Sequence, residues 1–228
     1  YMLFSTARRS EQNRVWVGMA KETAHQLGTP ISSLMAWVEY FKETESANPE
    51  KQQIIKEMEK DIGRLELITE RFSKVGSAPD LVETDISVAL DKAANYIKRR
   101  ASSSKVKFHF DFGSQPLFVK INTSLFEWVV ENLMKNALDA MGGSGELKVE
   151  VQDRDREIYI DVTDTGKGIP KSKFRTVFEP GYSTKKRGWG LGLTLTKRII
   201  EIYHKGKIFV RRSTPGKGTT FRIILPKA

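Results

Sequence analysis

Two runs of apolar residues set the strongest limit on how this chain can fold. In the first, Leu27, Ile31, Leu34, Val38 and Phe41 are spaced by four and three residues in turn. In the second, Ile54, Met58, Ile62, Leu65, Thr69, Phe72 and Val75 repeat those steps. Such spacing keeps side chains on one stripe of a helix and makes a seam against another helix. The intervening "TESANPE" holds Asn48-Pro49, a turn signal. A short connection between two seams implies an antiparallel helical hairpin. Two helices alone bury one thin seam, so the hairpin is expected to pair with a second copy as a dimeric four-helix bundle.

Val75 to Asp80 reads "VGSAPD", small, polar and proline-bearing, which marks a linker. The expected organisation is a helical hairpin over residues 1–75, a linker over 76–80 and a second domain over 81–228. In that domain the period changes repeatedly. "DISVALDKAANYIKRRA" is helical, and "KVKFHFDF" alternates as a strand. "NTSLFEWVVENLMKNALDAM" is a helix capped by Asn122 and stopped by Gly142-Gly143. "GELKVEVQDRDREIYIDVTD" gives two strands around a turn at Asp153 to Arg156. "GLGLTLTKRIIEIYHKG" is a helix ending at Gly206, and "KIFVRRSTPGKGTTFRIILP" a terminal hairpin. Strands joined mostly as hairpins, with helices covering one face, make an α+β two-layer sandwich.

The chain has no cysteine, which excludes a disulfide framework and thiolate metal sites and fits a reducing compartment. No apolar run approaches the ~20 residues that span a bilayer, and the start lacks the shape of a signal peptide. "YMLF" followed by Arg8 and Arg9 fits either the last turn of a membrane helix with cytoplasmic positive charge or an ordinary coiled-coil start. The formal charge of +10 raises nucleic acid as a ligand. The basic residues are dispersed, however, at Arg8/Arg9, Lys98 to Arg100, Lys185 to Arg187 and Arg211/Arg212, with no interleaved aromatic platform. No nucleic-acid partner is expected; solvated faces and a local phosphate site account for the charge.

Three short motifs lie in the second domain. Asn132 and Asn136 are four apart on one helix face, ~6 Å between Cβ atoms. Two amide oxygens so placed suit a hard cation such as Mg2+, or merely a loop that needs partners. "DVTDTGKGIP" sets Asp164 at a strand end with Gly166 and Gly168 beyond it. That is a plain turn, or a carboxylate for an exocyclic amine beside backbone a ligand ring can approach. Gly188, Gly190 and Gly192 precede a helix next to Lys185, Lys186 and Arg187, an anion-binding combination. It is neither a dinucleotide fingerprint nor a P-loop.

Taken in order, these boxes, "FEPGYSTK" (Phe178 to Lys185) and "GKGTTF" resemble the complete ATP-binding series of the sensor histidine kinases, members of the superfamily of heat-shock-90 chaperones, DNA gyrase B and MutL proteins. "HQLGTP" resembles their phospho-acceptor box. The resemblance runs from about Val15 to Pro226. It implies that Asp164 binds the adenine amino group, with Gly166 and Gly168 shaping the pocket and Thr219 supporting it through Asp164 or a water. It implies Mg2+ held by Asn136 with Asn132 close by. Lys185, Gly188, Gly190, Leu191 and Gly192 would face the phosphates. Lys171 to Arg187 would be a lid anchored by Phe174 and Phe178. Trp189 departs from the small residue usual at its position. The glutamate base of the ATP-hydrolysing relatives is replaced by Asn132, so direct attack of water on ATP is not favoured.

The resemblance makes His25 the phosphoryl acceptor. A neutral imidazole is nucleophilic at pH 7, and His25, two residues before the seam at Leu27, points away from the bundle axis. Pro30 bends the helix one turn beyond it. Gln26 stands where the family has a carboxylate; an amide can orient the imidazole but cannot take its proton. Glu22 is an alternative helper. Thr29 matches the position of a phosphatase residue. The implied protein is the catalytic core of a sensor histidine kinase, a homodimer using ATP and Mg2+. It would pass phosphate from His25 to an aspartate of a response regulator, docked near Ser32, Ser33, Ala36 and Tyr40. The fragment would be cytoplasmic, with an anchor in the inner or plasma membrane upstream of residue 1. The rivals are a degenerate kinase that binds nucleotide as a scaffold, and an ATP-driven clamp. His109 and His204 carry no function in this reading, and His204 is taken as a cation suited to a helix end.

Overall fold

The computed structural model describes residues 26–45, 48–74, 79–101, 105–184 and 190–228, with backbone alone for Arg64, Leu67, Ile68 and residues 70–74. The chain divides between Ala78 and Pro79 into two compact units. Expectations that fall on His25, Glu22, Lys185, Gly188, Trp189 and most of the linker lie outside the described residues.

In the first unit, helix α1 (residues 26–44) and helix α2 (Pro49–Lys74) are joined by a short connection. Asn48 Oδ1 accepts the N–H groups of Glu50 at 3.1 Å and Lys51 at 3.2 Å, capping α2 with Pro49 in its first turn. Gln52 Nε2 donates to the carbonyls of Glu45 and Lys42, which end α1. Ile31 and Val38 of α1 pack with Ile62 and Ile55 of α2, an antiparallel pairing flanked by the Lys42–Glu59 and Lys51–Glu45 ion pairs. The expected seams need a correction. Leu27, Leu34, Phe41, Ile54, Met58 and Leu65 stay 39–62% exposed within the chain. Leu34 lies three residues from Ile31, ~60° further round the helix, so only alternate seam positions meet the neighbouring helix. On α2 Ile55 rather than Ile54 turns inward.

The second unit is a five-stranded sheet in the order β2 (Lys105–Asp111), β4 (Ser144–Asp153), β5 (Glu157–Asp164), β7 (Gly218–Pro226), β6 (Lys207–Thr214). A separate two-stranded sheet pairs β1 (Val82–Asp85) with β3 (Phe118–Ile121); neither strand was expected from the sequence. β2 and β4 run parallel rather than as a hairpin, because α4 crosses between them; the other pairs are antiparallel. Strand alternation puts Leu147, Val149, Ile158, Ile160, Val162, Phe221 and Ile223 on one face. There they form a single core with Leu125, Val129, Leu133, Ile199 and Ile200 from the helices.

Helix α3 (Ile86–Arg100) starts at Asp85, whose carboxylate accepts the Ser87 N–H. Helix α4 (Thr123–Met141) is capped by Asn122 and ends on Gly142 at φ 64°, as its sequence predicts. Helix α5 (Gly192–Arg198) is shorter than expected, because Ile199–Tyr203 widens into a π turn whose next residue, His204, bonds back to the Ile199 carbonyl. Lys205 then adopts φ 55°, and Gly206 N–H reaches the Ile200 carbonyl. The wide turn swings His204 into the interior, where it is buried and its pKa is lowered to about 4 by burial. It is a neutral core residue, not a cation on a helix end.

Candidate nucleotide site

Asp164 closes the central strand on the helix-covered side of the sheet, in register with Thr219 of β7 and Leu147 of β4. It is buried, with one carboxylate oxygen accepting the Gly166 N–H at 2.8 Å. Burial pushes its carboxyl up; the backbone N–H groups of Gly166 and Thr219 pull it down. Thr219 thus reaches Asp164 through its backbone. Its hydroxyl pairs instead with Ser213 Oγ at 3.0 Å. Ser213, which the sequence gave no reason to single out, also accepts the Ile169 N–H at 2.7 Å and donates to the Gly218 carbonyl.

The turn after Asp164 is pinned from two sides. Lys167 N–H donates to the Ala140 carbonyl at the end of α4, and the Lys167 carbonyl accepts the Gly216 N–H from the β6–β7 turn. A Cβ on Gly166 would stand 2.6 Å from the Ala140 backbone. One on Gly168, at φ 70°, would collide with the Thr214 carbonyl. The absent side chains therefore let the loop lie flat between α4 and β6.

From α4, the half-buried Asn132 meets the first turns of α5. Its Nδ2 donates to Thr196 Oγ1 at 2.9 Å, and a Cβ on Gly192 would lie 2.5 Å from its Oδ1. Asn136 follows one turn later on α4 and is also half-buried. Gly190 sits at φ 66° with its carbonyl accepting the Gly181 N–H, and Leu191 follows as the residue before α5. Phe178 is buried against Phe221 in an edge-on contact, ring planes 89° apart, and lies under the Lys197 ammonium. Its carbonyl accepts the Thr194 hydroxyl, while Phe174 packs more loosely on the same core. Lys167 Nζ donates to Thr184 Oγ1 at 3.0 Å.

Asn132, Asn136, Asp164, Gly166, Gly168, Gly190, Leu191, Gly192 and Thr219 thus belong to one unit, around α4, β5, β7 and the start of α5. Gln26 and Thr29 lie on α1 in the other unit, both exposed. Among the described residues no three His, Cys, Asp or Glu side chains gather as a metal site. A surface hollow of about 610 Å³ along α3, lined by Val88, Asn95, Arg99 and Phe112 among others, includes none of these residues. Among the described residues no helix is long and apolar enough to cross a membrane.

A family model described as histidine kinase-, DNA gyrase B- and HSP90-like ATPase matches residues 122–228. The sensor histidine kinase ZraS of Salmonella typhimurium strain LT2 is 30% identical over 227 residues, 98% of this chain and 48% of that protein. The chain spans about half the length of the relatives it matches. The nucleotide-free catalytic domain of the histidine kinase ThkA superposes with a TM-score of 0.60 at 26% identity, over 65% of this chain and 97% of its own. ThkA in complex with the response regulator TrrA shares the fold over 100% of this chain and 66% of its own, with a TM-score of 0.63 at 21% identity.

Proposed function

Residues 122–228 belong to the histidine kinase-, DNA gyrase B- and HSP90-like ATPase family, and sensor histidine kinases are relatives along the whole chain; on that premise we propose that the chain is the catalytic core of a sensor histidine kinase. ATP binds the second unit and His25 receives its γ-phosphoryl group. The observation that carries the reading is the buried Asp164 beneath a turn that has no room for side chains at Gly166 and Gly168. A carboxylate accepts about four hydrogen bonds. One comes from the Gly166 N–H, and the exocyclic amine of adenine supplies another. Gly166 and Gly168 hold the turn flat enough for a ring to lie on it. Asn136 and Asn132 hold the cation, whose chemistry is to neutralise phosphate charge. Lys185, Gly188, Gly190, Leu191 and Gly192 attend the phosphates.

The nucleophile is the neutral His25 imidazole, oriented by the amide of Gln26, while Thr29 positions water to remove phosphate from the regulator's aspartate. Domains divide as hairpin, linker and ATP-binding domain at 1–75, 76–80 and 81–228. The exposed stripe of Leu27, Leu34, Phe41, Ile54, Met58 and Leu65 is the surface by which two hairpins join as a four-helix bundle. The partners are a second copy and a response-regulator receiver domain, and the whole protein is anchored in the membrane upstream of residue 1.

Incubation with γ-labelled ATP tests the proposal. Label on the protein that is acid-labile, base-stable and absent from His25→Ala is the expected result. Free phosphate without labelled protein would make the chain a clamp ATPase, and binding without either product would make it a scaffold.

A further inference from the structure

Asp164, Thr219 and Ser213 stand in one row across β5, β7 and β6, where directly opposed residues share a face. The loop that leaves β5 at Asp164 passes the end of β7 and comes down on β6. Its landing point is Ile169, whose N–H donates to Ser213 Oγ at 2.7 Å and whose side chain rests on the core. The same hydroxyl lies 3.0 Å from Thr219 Oγ1 and donates to the Gly218 carbonyl at 2.9 Å. Two glycines let the loop lie that close. A Cβ on Gly168 would strike the Thr214 carbonyl, and one on Gly218 the Asp164 carbonyl. A second tie, from the Gly216 N–H to the Lys167 carbonyl, is backbone alone. Ser213 makes its tie with a side chain, so that tie depends on the residue type.

We propose that Ser213 is a positioning residue for the base: by fixing where the loop comes down, it holds Gly166 and Gly168 in the course that lays a purine ring against the Asp164 carboxylate. The proposal rests on the nucleotide-binding reading above. Water can take the Ile169 hydrogen when the hydroxyl is lost, but water does not join the loop to β6. Without that join the ligand must order the loop itself, at a cost in affinity. The cost falls on recognition of the base, because the loop holds the ring and not the phosphates. Alanine removes the hydroxyl; threonine keeps it and suits a strand.

The test measures equilibrium binding of two nucleotides to the whole chain, in EDTA so that no metal contributes. One is ADP; the other is inosine diphosphate, which has an oxygen where adenine has its amine. Wild type should prefer ADP. In Ser213→Ala affinity for ADP should fall about fivefold, the scale of one net hydrogen bond, while that for inosine diphosphate stays within about twofold. Ser213→Thr should bind as wild type does. Hydrogen exchange at the Ile169 amide should quicken in the alanine variant alone. An unchanged ADP affinity in Ser213→Ala overturns the proposal. So does an equal loss for both nucleotides, or an alanine-like loss in Ser213→Thr, since either would mean packing only. Wild type that bound neither nucleotide, or both alike, would bring down the parent reading instead.

Discussion

Lowering the pH should weaken this fold through a single ring. His204 is 2% exposed, its Nε2 accepts the Asn122 N–H at 3.1 Å, and its ring centroid lies 6.2 Å from that of Phe126. Acceptance at Nε2 places the proton on Nδ1 of a neutral ring. A second proton would put a charge in the core and set two N–H groups against each other at the cap of α4. Burial accordingly lowers the pKa from 6.5 to about 4. Between those values the unfolded chain holds the extra proton and the folded chain does not, so stability is complete above 6.5 and falls as pH drops toward 4. Linkage gives a loss of about 1.4 kcal/mol by about pH 5.5 and about 2.5 kcal/mol by about pH 4.5. Asp164 acts in the opposite sense. Its raised pKa lets the folded state take a proton first, so acid spares stability there. Comparing wild type with His204→Gln removes that shared term. Urea unfolding of both chains, followed by circular dichroism from about pH 7.5 to about pH 4.5, should show wild type losing about 2.5 kcal/mol more than the variant. Parallel stability profiles would refute the reasoning.

On the solvent face of the sheet, Asp161 is 2% exposed and binds Arg222 through both oxygens at 2.7 Å, with Arg211 bonded at 2.6 Å. Asp161→Ala leaves the largely buried Arg222 without a counter-ion and should cost about 3 kcal/mol in urea unfolding; a change under about 1 kcal/mol would show that solvent replaces the carboxylate. Gln26→Glu should raise the rate at which label enters His25, because a carboxylate takes a proton that an amide cannot; an equal or lower rate removes Gln26 as the brake. Thr29→Ala should preserve that labelling while slowing phosphate loss from the partner regulator, and a joint fall of both would deny the separation of roles.

Much of the second unit could be read ahead because its signals are local. Asn122 and Gly142 bound α4 by cap chemistry alone, and the glycines after Asp164 mark a tight loop wherever the strand ends. The misses have a common cause, which is that they depend on what packs opposite. Seven-residue spacing gives two helices a shared stripe. It cannot say whether Ile54 or Ile55 meets α1, since both sit beside the stripe and only the neighbouring helix chooses. β1 and β3 are four residues each, too short for alternation to register. The π turn at Ile199–Tyr203 leaves no mark in the pattern of side chains, yet it decides that His204 goes inside. Within the site, Asp164 and the two asparagines were legible as residue types. The hydrogen bond from Asn132 to Thr196 was not, because it exists only once α5 is laid against α4.

The glycines of this site answer to different masters. Gly166, Gly168 and Gly218 are held without side chains by backbone: Ala140, Thr214 and Asp164 would each be struck by a Cβ. A descendant of this fold that had abandoned nucleotide altogether would still be obliged to keep them. Gly192 spares only the side chain of Asn132, and once that asparagine had no ligand to serve, either residue could drift. The glycines that flank Asp164 therefore record architecture, whereas the close approach of Gly192 to Asn132 concerns one side chain alone.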